Sequence, residues 1–210
     1  MSSNVFSLEG WKNYDDALVA AKEALLAGKL VIYPTDTLYG LGANALDEKA
    51  VEDVVAAKGR DDAKPISIIV SELEMMRRYA ELSDEVSLNL QQLLPGPFTA
   101  ILNAKPGLPK PIAPDGKVGI RIPHHIFVTT VIRQLQFPIT ATSANLSGAK
   151  APLRLEDVPA KLRNSAAAVI DGGPTRWGEG STVIDFTLKK PAILRRGANC
   201  ELAEEIIGSQ

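Results

Sequence analysis

The chain has one cysteine, two histidines and no long apolar run among its 210 residues. Cys200 alone excludes an internal disulfide and a cysteine metal cluster. His124 and His125 are adjacent and follow a proline, which favours a surface turn over a histidine metal site. No apolar run approaches the roughly 18 residues that span a bilayer, and the first residues lack the pattern of a signal peptide. We therefore expect a cytoplasmic protein without a membrane segment.

A basic excess is also missing. The 23 Lys and Arg residues face 25 Asp and Glu residues, which gives a net charge of −2. A protein whose main task is to grip nucleic acid usually carries a strong basic excess. The hydrophobic content of 45% is ample for a core, and the length favours one domain, 1–210.

Helical and strand patterns alternate along the chain. Asp47 and Gly59 are typical of the start and end of a helix, and Ser71 with Glu74 predicts a capping box. Because several late strands lack helices between them, we expect an α/β domain with a mixed sheet. The proline-rich segment 105–114 has the least regular pattern. The predicted helices are 14–27, 47–59, 71–79, 83–94, 127–135 and 201–207, and the predicted strands are 30–33, 66–70, 99–103, 118–122, 137–140, 168–171, 182–186 and 192–195.

Small polar side chains follow one of these strands, in the segment 141–148 with the sequence ATSANLSG. Ser143 and Asn145 offer hydrogen-bond donors and acceptors without bulk, which suits contact with a phosphate or another polar ligand. The same residues are also common in turns that cap the next element. The segment alone leaves the ligand site and the turn equally open.

A second polar segment, 33–42 with the sequence YPTDTLYGLG, follows the predicted strand 30–33. Thr37 and its polar neighbours at a strand's carboxyl end are what a ligand crevice in an α/β sheet uses. A tight turn is the alternative. The glycines match neither a Walker A loop nor a dinucleotide fingerprint.

Basic residues cluster at the end of the second predicted helix. Lys58 follows Val51 by seven positions and Val54 by four, which places it on the apolar face of the helix. A lysine on a buried face normally needs an anionic partner, although a cation in the last helical turn also complements the helix dipole. Arg60 and Lys64 follow directly.

Arg121 interrupts an apolar strand. Alternation places Val118 and Ile120 on one face and Arg121 on the other. The arginine faces either solvent or a cavity that accepts an anion. Arg195 ends a later strand in the same way, and Ser181 lies at the entrance of another.

Taken together, four cations and three hydroxyls predict a pocket for a polyanion and a small polar molecule. No nucleophile–histidine pair is evident, so positioning and charge neutralisation, as in phosphoryl or nucleotidyl transfer, are the expected catalytic means. The residues are Lys58, Arg60, Arg121 and Arg195 with Thr37, Ser143 and Ser181.

Seven ordered motifs between about Asp15 and Gly197 resemble the YrdC family, whose best-known members are threonylcarbamoyl-AMP synthases, also called TsaC. The motifs are YPTDTLYGLG at 33–42, KGR at 58–60, LPGPFT at 94–99, VGIRIP at 118–123, TSANLSG at 142–148, STVID at 181–185 and LRRG at 194–197.

The resemblance implies a YrdC-like twisted mixed β-sheet flanked by helices around a large cationic cavity. It also implies the short, single-domain type, with a core of about 15–197 and a tail helix at 201–207. The implied reaction joins L-threonine, bicarbonate or CO2 and ATP into threonylcarbamoyl-AMP and pyrophosphate. Downstream proteins would then transfer the threonylcarbamoyl group to adenosine in tRNA.

Site residues are carried over from the same resemblance. The catalytic set is Lys58, Arg60, Ser143 and Asn145, the threonine-binding set is Thr37, Arg121 and Ser181, and the nucleotide-binding set is Lys58, Arg60, Lys64, Ser143 and Arg195. Mg²⁺ would arrive with ATP and be held mostly by phosphate oxygens and water, so no protein metal site is expected.

One departure and two alternatives accompany this interpretation. Ser67 and Ile69 lie where some longer members place a threonine-binding histidine, which weakens that part of the amino-acid site. Family members have also been regarded as double-stranded RNA binders or ribosome-maturation factors. A paralogue with a different carbamoyl acceptor, as in hydrogenase maturation, is the other alternative.

Overall fold

The computed structural model of the chain describes residues 4–59 and 65–208. In these ranges one sheet carries ten strands: β1 Val5–Ser7, β2 Val31–Tyr33, β3 Gly40–Gly42, β4 Ser67–Ile69, β5 Phe98–Asn103, β6 Lys117–Arg121, β7 Ile139–Ser143, β8 Ala168–Asp171, β9 Thr182–Asp185 and β10 Ala192–Arg195. The α-helices described are α1 Trp11–Leu26, α2 Glu48–Lys58, α3 Leu73–Tyr79, α4 Asp84–Leu93, α5 Ile126–Leu135, α6 Ala160–Ser165 and α7 Cys200–Gly208, with a 3₁₀ turn at Leu155–Asp157.

The strand order is β1-β8-β2-β3-β7-β4-β6-β5-β9-β10. The pairs β1–β8, β2–β8, β4–β6 and β5–β9 are parallel, and the other neighbours are antiparallel. The predicted mixed α/β sheet is therefore confirmed. The strands that carry the polar motifs, β3, β7, β6 and β9, lie in the middle and second half of this order.

The predicted start and end signals of α2 are confirmed. The Asp47 side chain accepts a hydrogen bond from Ala50 N at 3.2 Å, and Gly59 ends α2 with a φ of 58°. The Ser83 hydroxyl caps α4 by accepting from Val86 N at 3.2 Å. Both helices start where a short polar side chain satisfies an otherwise unpaired N–H group.

The capping box predicted at Ser71 and Glu74 is wrong. α3 starts at Leu73, and its cap residue, Glu72, makes no side-chain hydrogen bond. Val70 N still donates to Arg121 O at 3.0 Å, so the backbone remains extended next to β6 and Ser71 lies too early to cap. The Ser71 hydroxyl instead contacts Met75 Sδ at 3.8 Å.

Other differences concern short or glycine-rich elements. Sequence periodicity missed β1, β3 and α6, which have three, three and six residues. It also started α1 three residues late, because Trp11 at the start of the helix is an apolar residue that is 91% exposed. The segment 105–114 has no strand or helix, as predicted, yet Ile112 within it is fully buried.

Helices cover the sheet and close the core. α1 packs on β1, β8 and α5, where the rings of Tyr14 and Phe127 meet edge to face at 5.5 Å. α4 packs on α7, and α2 on α6. Of the helices described here, none combines the length and apolarity needed to cross a membrane.

Candidate active site

A cavity of about 290 Å³ opens over the sheet. Its volume lies near the lower end of the range of small-molecule sites, roughly 300–1,000 Å³. Among the described residues that line it, the charged ones are Lys58, Arg121 and Arg195, and none is acidic. The other polar residues lining it are Tyr33, Thr35, Tyr39, Ser67, Thr99, Thr142, Ser143, Asn145, Ser147 and Ser181. An anionic ligand is what such a lining attracts.

Lys58 closes one end of the cavity. Its side chain leaves the last turn of α2 and is buried, with the residue 5% exposed. Nζ donates to the backbone oxygens of Ser143 and, at 2.9 Å, of Asn145. The return contact, Ser147 N to Lys58 O at 3.1 Å, attaches the same loop to the helix end. The lysine is therefore directed into the fold, as its place on the apolar face predicted.

Ser143 and Asn145 form both a turn and part of the cavity wall. The Ser143 hydroxyl donates to Asn145 Oδ1, and Asn145 Nδ2 donates to Ala149 O at 2.6 Å. Ala144 N donates to Tyr39 O at 2.9 Å, which joins the turn to the segment after β2. The two interpretations of this segment left open by the sequence are thus compatible, because the turn itself places both polar side chains in the cavity.

Arg121 lies on the floor of the cavity and is only 8% exposed. Nη2 donates to Asp36 Oδ1 at 2.7 Å, and Nη1 donates to the Thr37 hydroxyl at 2.9 Å. The second carboxylate oxygen of Asp36 accepts from His124 N at 3.1 Å. Nε of Arg121 is buried and has no hydrogen-bond partner among the described residues. The guanidinium is therefore fixed on one edge while its other edge retains a donor.

Thr37 lies behind Arg121. It is fully buried, and it is not among the residues that line the cavity. Its hydroxyl contacts that of Thr35 at 3.0 Å, and Thr35 in turn donates to Leu38 O at 2.7 Å. In this arrangement Thr37 orients Arg121 from within the loop.

Ser181 and Arg195 form the opposite end of the cavity. Arg195 donates to Ser181 O from Nε at 3.1 Å and from Nη2 at 2.7 Å, and Nη2 also lies 3.1 Å from Ser181 Oγ. Burial, and then the nearby charge of Arg121, lower the pKa of Arg195 from its usual value. Two cations thus repel each other across this end of the cavity, an arrangement that a bound anion relieves.

Two predicted site residues, Arg60 and Lys64, lie outside the described residues. Their neighbours are placed: Lys58 ends α2, and Pro65 lines the cavity. The roles expected for Arg60 and Lys64 therefore stay predictions.

The family model of Sua5, YciO and YrdC, which has the description "Telomere recombination", matches residues 23–197. That range includes every site residue discussed above. The chain belongs to the Sua5/YciO/YrdC family.

Relatives in this family carry the name threonylcarbamoyl-AMP synthase. The Pyrococcus abyssi protein is 37% identical over 204 residues, covering 96% of this chain and 58% of its own length. The Bacillus subtilis protein is 36% identical over 199 residues, covering 92% of this chain and 58% of its own length. The crystal structure of P. abyssi Sua5 complexed with L-threonine superposes with a TM-score of 0.91 at 35% identity, covering 97% of this chain and 61% of that one. The chain thus spans about three fifths of the length of these relatives.

Residue-by-residue reasoning missed three members of this family site. Asp36 holds Arg121, Thr99 contacts Ser181, and the Tyr33 ring lies under β3. Asp36 and Thr99 both belong to motifs that matched the family, so their positions in the sequence were visible. The Thr99–Ser181 contact depends on the pairing of β5 with β9, and the Asp36–Arg121 contact on the loop after β2 reaching β6. These residues lie 82 and 85 positions apart in the sequence, so no local pattern reveals the contacts.

Tyr33 also explains the two glycines of β3. A Cβ on Gly40 would lie 2.6 Å from Tyr33 Cζ, and one on Gly42 would lie 2.6 Å from Cε1. The tyrosine hydroxyl donates to Thr140 O at 2.7 Å, and burial raises its pKa well above the usual value. The phenol therefore stays neutral and acts as a rigid wall of the cavity.

The cavity wall also includes the two residues that lie where some longer family members place a threonine-binding histidine. Ser67 and Ile69 both line the cavity, and a Cβ on Gly119 would lie 2.4 Å from Ser67 Oγ. No group of three or more His, Cys, Asp or Glu side chains within 4–59 and 65–208 is placed to hold a metal ion.

Proposed function

We propose that the chain is a threonylcarbamoyl-AMP synthase, which makes threonylcarbamoyl-AMP and pyrophosphate from L-threonine, CO2 or bicarbonate and ATP. The observation that carries the proposal is one cavity lined by Lys58, Arg121 and Arg195 together with the Ser143–Asn145 turn, in a chain whose relatives carry that name. L-Threonine is the ligand of the P. abyssi structure.

The chemistry needs two anions to meet. The threonine amine adds to CO2 and loses a proton, and the resulting N-carboxylate oxygen attacks the α-phosphorus of ATP. A new P–O bond forms as the bond to pyrophosphate breaks. Carboxylate and phosphate repel each other, so fixed cations that approach from both sides lower the barrier by electrostatic stabilisation.

The residues divide by position. Lys58, with Ser143 and Asn145, would hold the nucleotide and the developing charge at one end. The resemblance adds Arg60 and Lys64 to that group. Arg121 would bind the threonine carboxylate at the floor, with Thr37 holding the guanidinium and Ser181 at the other end. The resemblance also assigns Arg195, beside Ser181, to contact with the nucleotide.

Mg²⁺ would enter on the triphosphate and neutralise part of its charge. Since the described residues offer no carboxylate cluster, phosphate oxygens and water would supply most of its ligands. Downstream proteins that transfer the threonylcarbamoyl group to tRNA are the expected partners. The product, threonylcarbamoyl-AMP, is a mixed anhydride and therefore reactive, so another protein must accept it.

Pyrophosphate release tests the proposal. The protein is incubated with ATP, Mg²⁺ and bicarbonate, with each of the twenty amino acids in turn. We expect release that depends on L-threonine and on bicarbonate, and an Arg60→Ala variant that folds but is inactive. Release that ignores threonine, or no release at all, would refute the synthase assignment.

A further inference from the structure

Thr99, at the start of β5, lies in the cavity without an assigned role. It is 4% exposed and lines the cavity wall, and its hydroxyl is 2.8 Å from Ser181 Oγ. Its backbone is held on one side by β9, where Thr99 pairs with Val183. On the other side Ala100 pairs with Ile120, so Thr99 and Arg121 are the next positions along the same antiparallel ladder.

Counting protons shows that the Thr99–Ser181 pair keeps a spare donor. Two hydroxyls carry two protons, and their mutual hydrogen bond uses one. Arg195 has donors only, so its Nη2 contact at 3.1 Å takes a lone pair of Ser181 Oγ and no proton. No further partner of either hydroxyl occurs within the described ranges. One proton is left for a ligand.

The direction of this chain of hydrogen bonds places that proton on Thr99. Hydrogen bonds that run head to tail polarise one another, which favours Arg195 donating to Ser181 and Ser181 donating to Thr99. The Thr99 hydroxyl then donates into the cavity. The buried pair Thr37–Thr35 differs in this respect, since its second proton goes to Leu38 O at 2.7 Å and none is left.

The spare donor lies between two cations. Arg121 Nε is buried without a partner in the part of the chain that the structure describes, while its other nitrogens are held by Asp36 and Thr37. Arg195 lines the same cavity as Arg121 and contacts Ser181, the hydrogen-bond partner of Thr99. A compact anion between them would meet both charges and the Thr99 hydroxyl.

The Thr99 hydroxyl and the Lys58–Ser143 end of the cavity lie on different strands of the sheet. Ser143 is on β7 and Thr99 on β5, three strand spacings away, which amounts to roughly 14 Å at about 4.8 Å per strand. A nucleotide whose phosphates lie by Lys58 and Ser143 leaves this end for the second substrate. The acceptor with the right charge and size there is an α-amino acid's carboxylate.

We propose that Thr99 is a substrate-binding residue, whose hydroxyl donates a hydrogen bond to the carboxylate of the amino-acid substrate between Arg121 and Arg195. The assignment of the ligand rests on the proposed function. The arrangement of hydrogen-bond donors does not depend on that function, because it follows from the contacts among Thr99, Ser181 and Arg195.

Binding and turnover of three variants test the proposal. Thr99→Val removes the hydroxyl, Thr99→Ser keeps it, and Thr140→Val removes a buried hydroxyl that bonds to Leu41 O, away from the cavity lining. We expect Thr99→Val to weaken L-threonine binding in calorimetry about 10- to 100-fold, as befits a hydrogen bond to a charged group. The KM for threonine should rise with it, while the KM for ATP stays the same.

A ligand that lacks the carboxylate distinguishes the loss of one hydrogen bond to that carboxylate from a general change in the structure of the site. L-Threoninol replaces the carboxylate with a neutral alcohol, so the difference between wild type and Thr99→Val should shrink to about twofold or less. Thr99→Ser should restore threonine binding to near the wild-type level, and Thr140→Val should leave it unchanged. Should Thr99→Val fail to fold, Thr99→Ala serves in its place.

Several results would overturn the proposal. Unchanged threonine binding by a folded Thr99→Val protein is one, an equal loss for threonine and threoninol is another, and a rise confined to the KM for ATP would assign the hydroxyl to a phosphate instead. Wild-type protein that binds threonine in a Thr99-dependent manner but releases no pyrophosphate would refute the synthase and retain the carboxylate site. An enzyme that releases pyrophosphate, and whose threonine binding is unchanged by Thr99→Val, would retain the synthase assignment and refute the role of Thr99.

Discussion

Arg121 and Asp36 form a buried ion pair across 85 positions of sequence, with Nη2 and Oδ1 2.7 Å apart and side chains 10% and 1% exposed. The pair joins the middle of the sheet to the loop after β2. Arg121 Nε is buried and has no hydrogen-bond partner among the described residues. The carboxylate therefore contributes to both stability and the aim of the guanidinium.

The first prediction concerns this pair. Asp36→Ala leaves a buried guanidinium without its counter-ion, and such a change typically costs about 3–5 kcal/mol. We expect a loss of that order in the free energy of unfolding, measured by urea denaturation, and a higher KM for threonine in Asp36→Asn. The matched control is Asp53→Ala, which breaks the exposed pair with Lys49 and should change stability little. Equal effects of the two alanine variants would contradict the structural role of Asp36.

The sequence predicted which face of a helix or strand each site residue occupies better than it predicted the contacts between those residues. Lys58 on the apolar face of α2 and Arg121 on the opposite face from Ile120 follow from helical and strand periodicity, which are local. The partner of Arg121 depends on β6 lying within reach of the loop after β2, and no local rule contains that distance. The three-residue strands β1 and β3 were missed, although β2 and β4, which are equally short, were predicted from the apolar runs that contain them. β3 consists of Gly-Leu-Gly, and glycine is depleted in strands.

Lys58 gives a second prediction. Nζ holds the backbone oxygens of Ser143 and Asn145, so Lys58→Met removes both the charge and the attachment of the turn. We expect pyrophosphate release to fall at least 100-fold, with a loss of about 1–3 kcal/mol in unfolding free energy from the unsatisfied carbonyls. Lys49→Met, on the exposed side of the same helix, is the control and should retain activity. A Lys58→Met enzyme with wild-type turnover would remove the lysine from the mechanism.

A third prediction follows from the close contact of β3 with Tyr33. A Cβ on Gly42 would lie 2.6 Å from Cε1 and 3.1 Å from Cδ1 of the buried ring, so Gly42→Ala forces a shift. We expect a loss of about 1–3 kcal/mol, as for other overpacked cores. Gly208→Ala meets nothing within 4 Å and is the control. In the double variant Tyr33→Val/Gly42→Ala the two losses should not add, because the smaller side chain makes room for the new methyl group. Full additivity in thermal unfolding would show that the ring is not the obstacle.

His125 provides a prediction on pH. Burial, the largest contribution, lowers the pKa of His125 below the ordinary value of 6.5, against the opposing effect of Asp36, and Nδ1 is buried without a partner among the described residues. The unfolded chain therefore binds the proton more readily than the folded one. Stability attributable to this group is fully present above about pH 7 and is lost as the pH falls through 6.5 and below. His124, which is exposed, gives the matched comparison.

Unfolding free energies at pH 7.5 and pH 5.5 measure the effect. The wild type should lose more stability over this interval than His125→Asn, because asparagine does not titrate. His124→Asn removes a neighbouring charge that also lowers the pKa of His125, so it should lose somewhat less stability than the wild type and more than His125→Asn. Asp185 does not titrate in this interval. Burial acts to raise the pKa of its carboxyl, but the hydrogen bonds from Thr187 and the contact with Lys117 outweigh it and lower the pKa below 3.8. The contribution of Asp185 to stability is therefore lost only in stronger acid. If His125→Asn shows the same loss between pH 7.5 and 5.5 as the wild type, the imidazole is not the group that titrates, and the buried setting of Nδ1 does not determine its protonation.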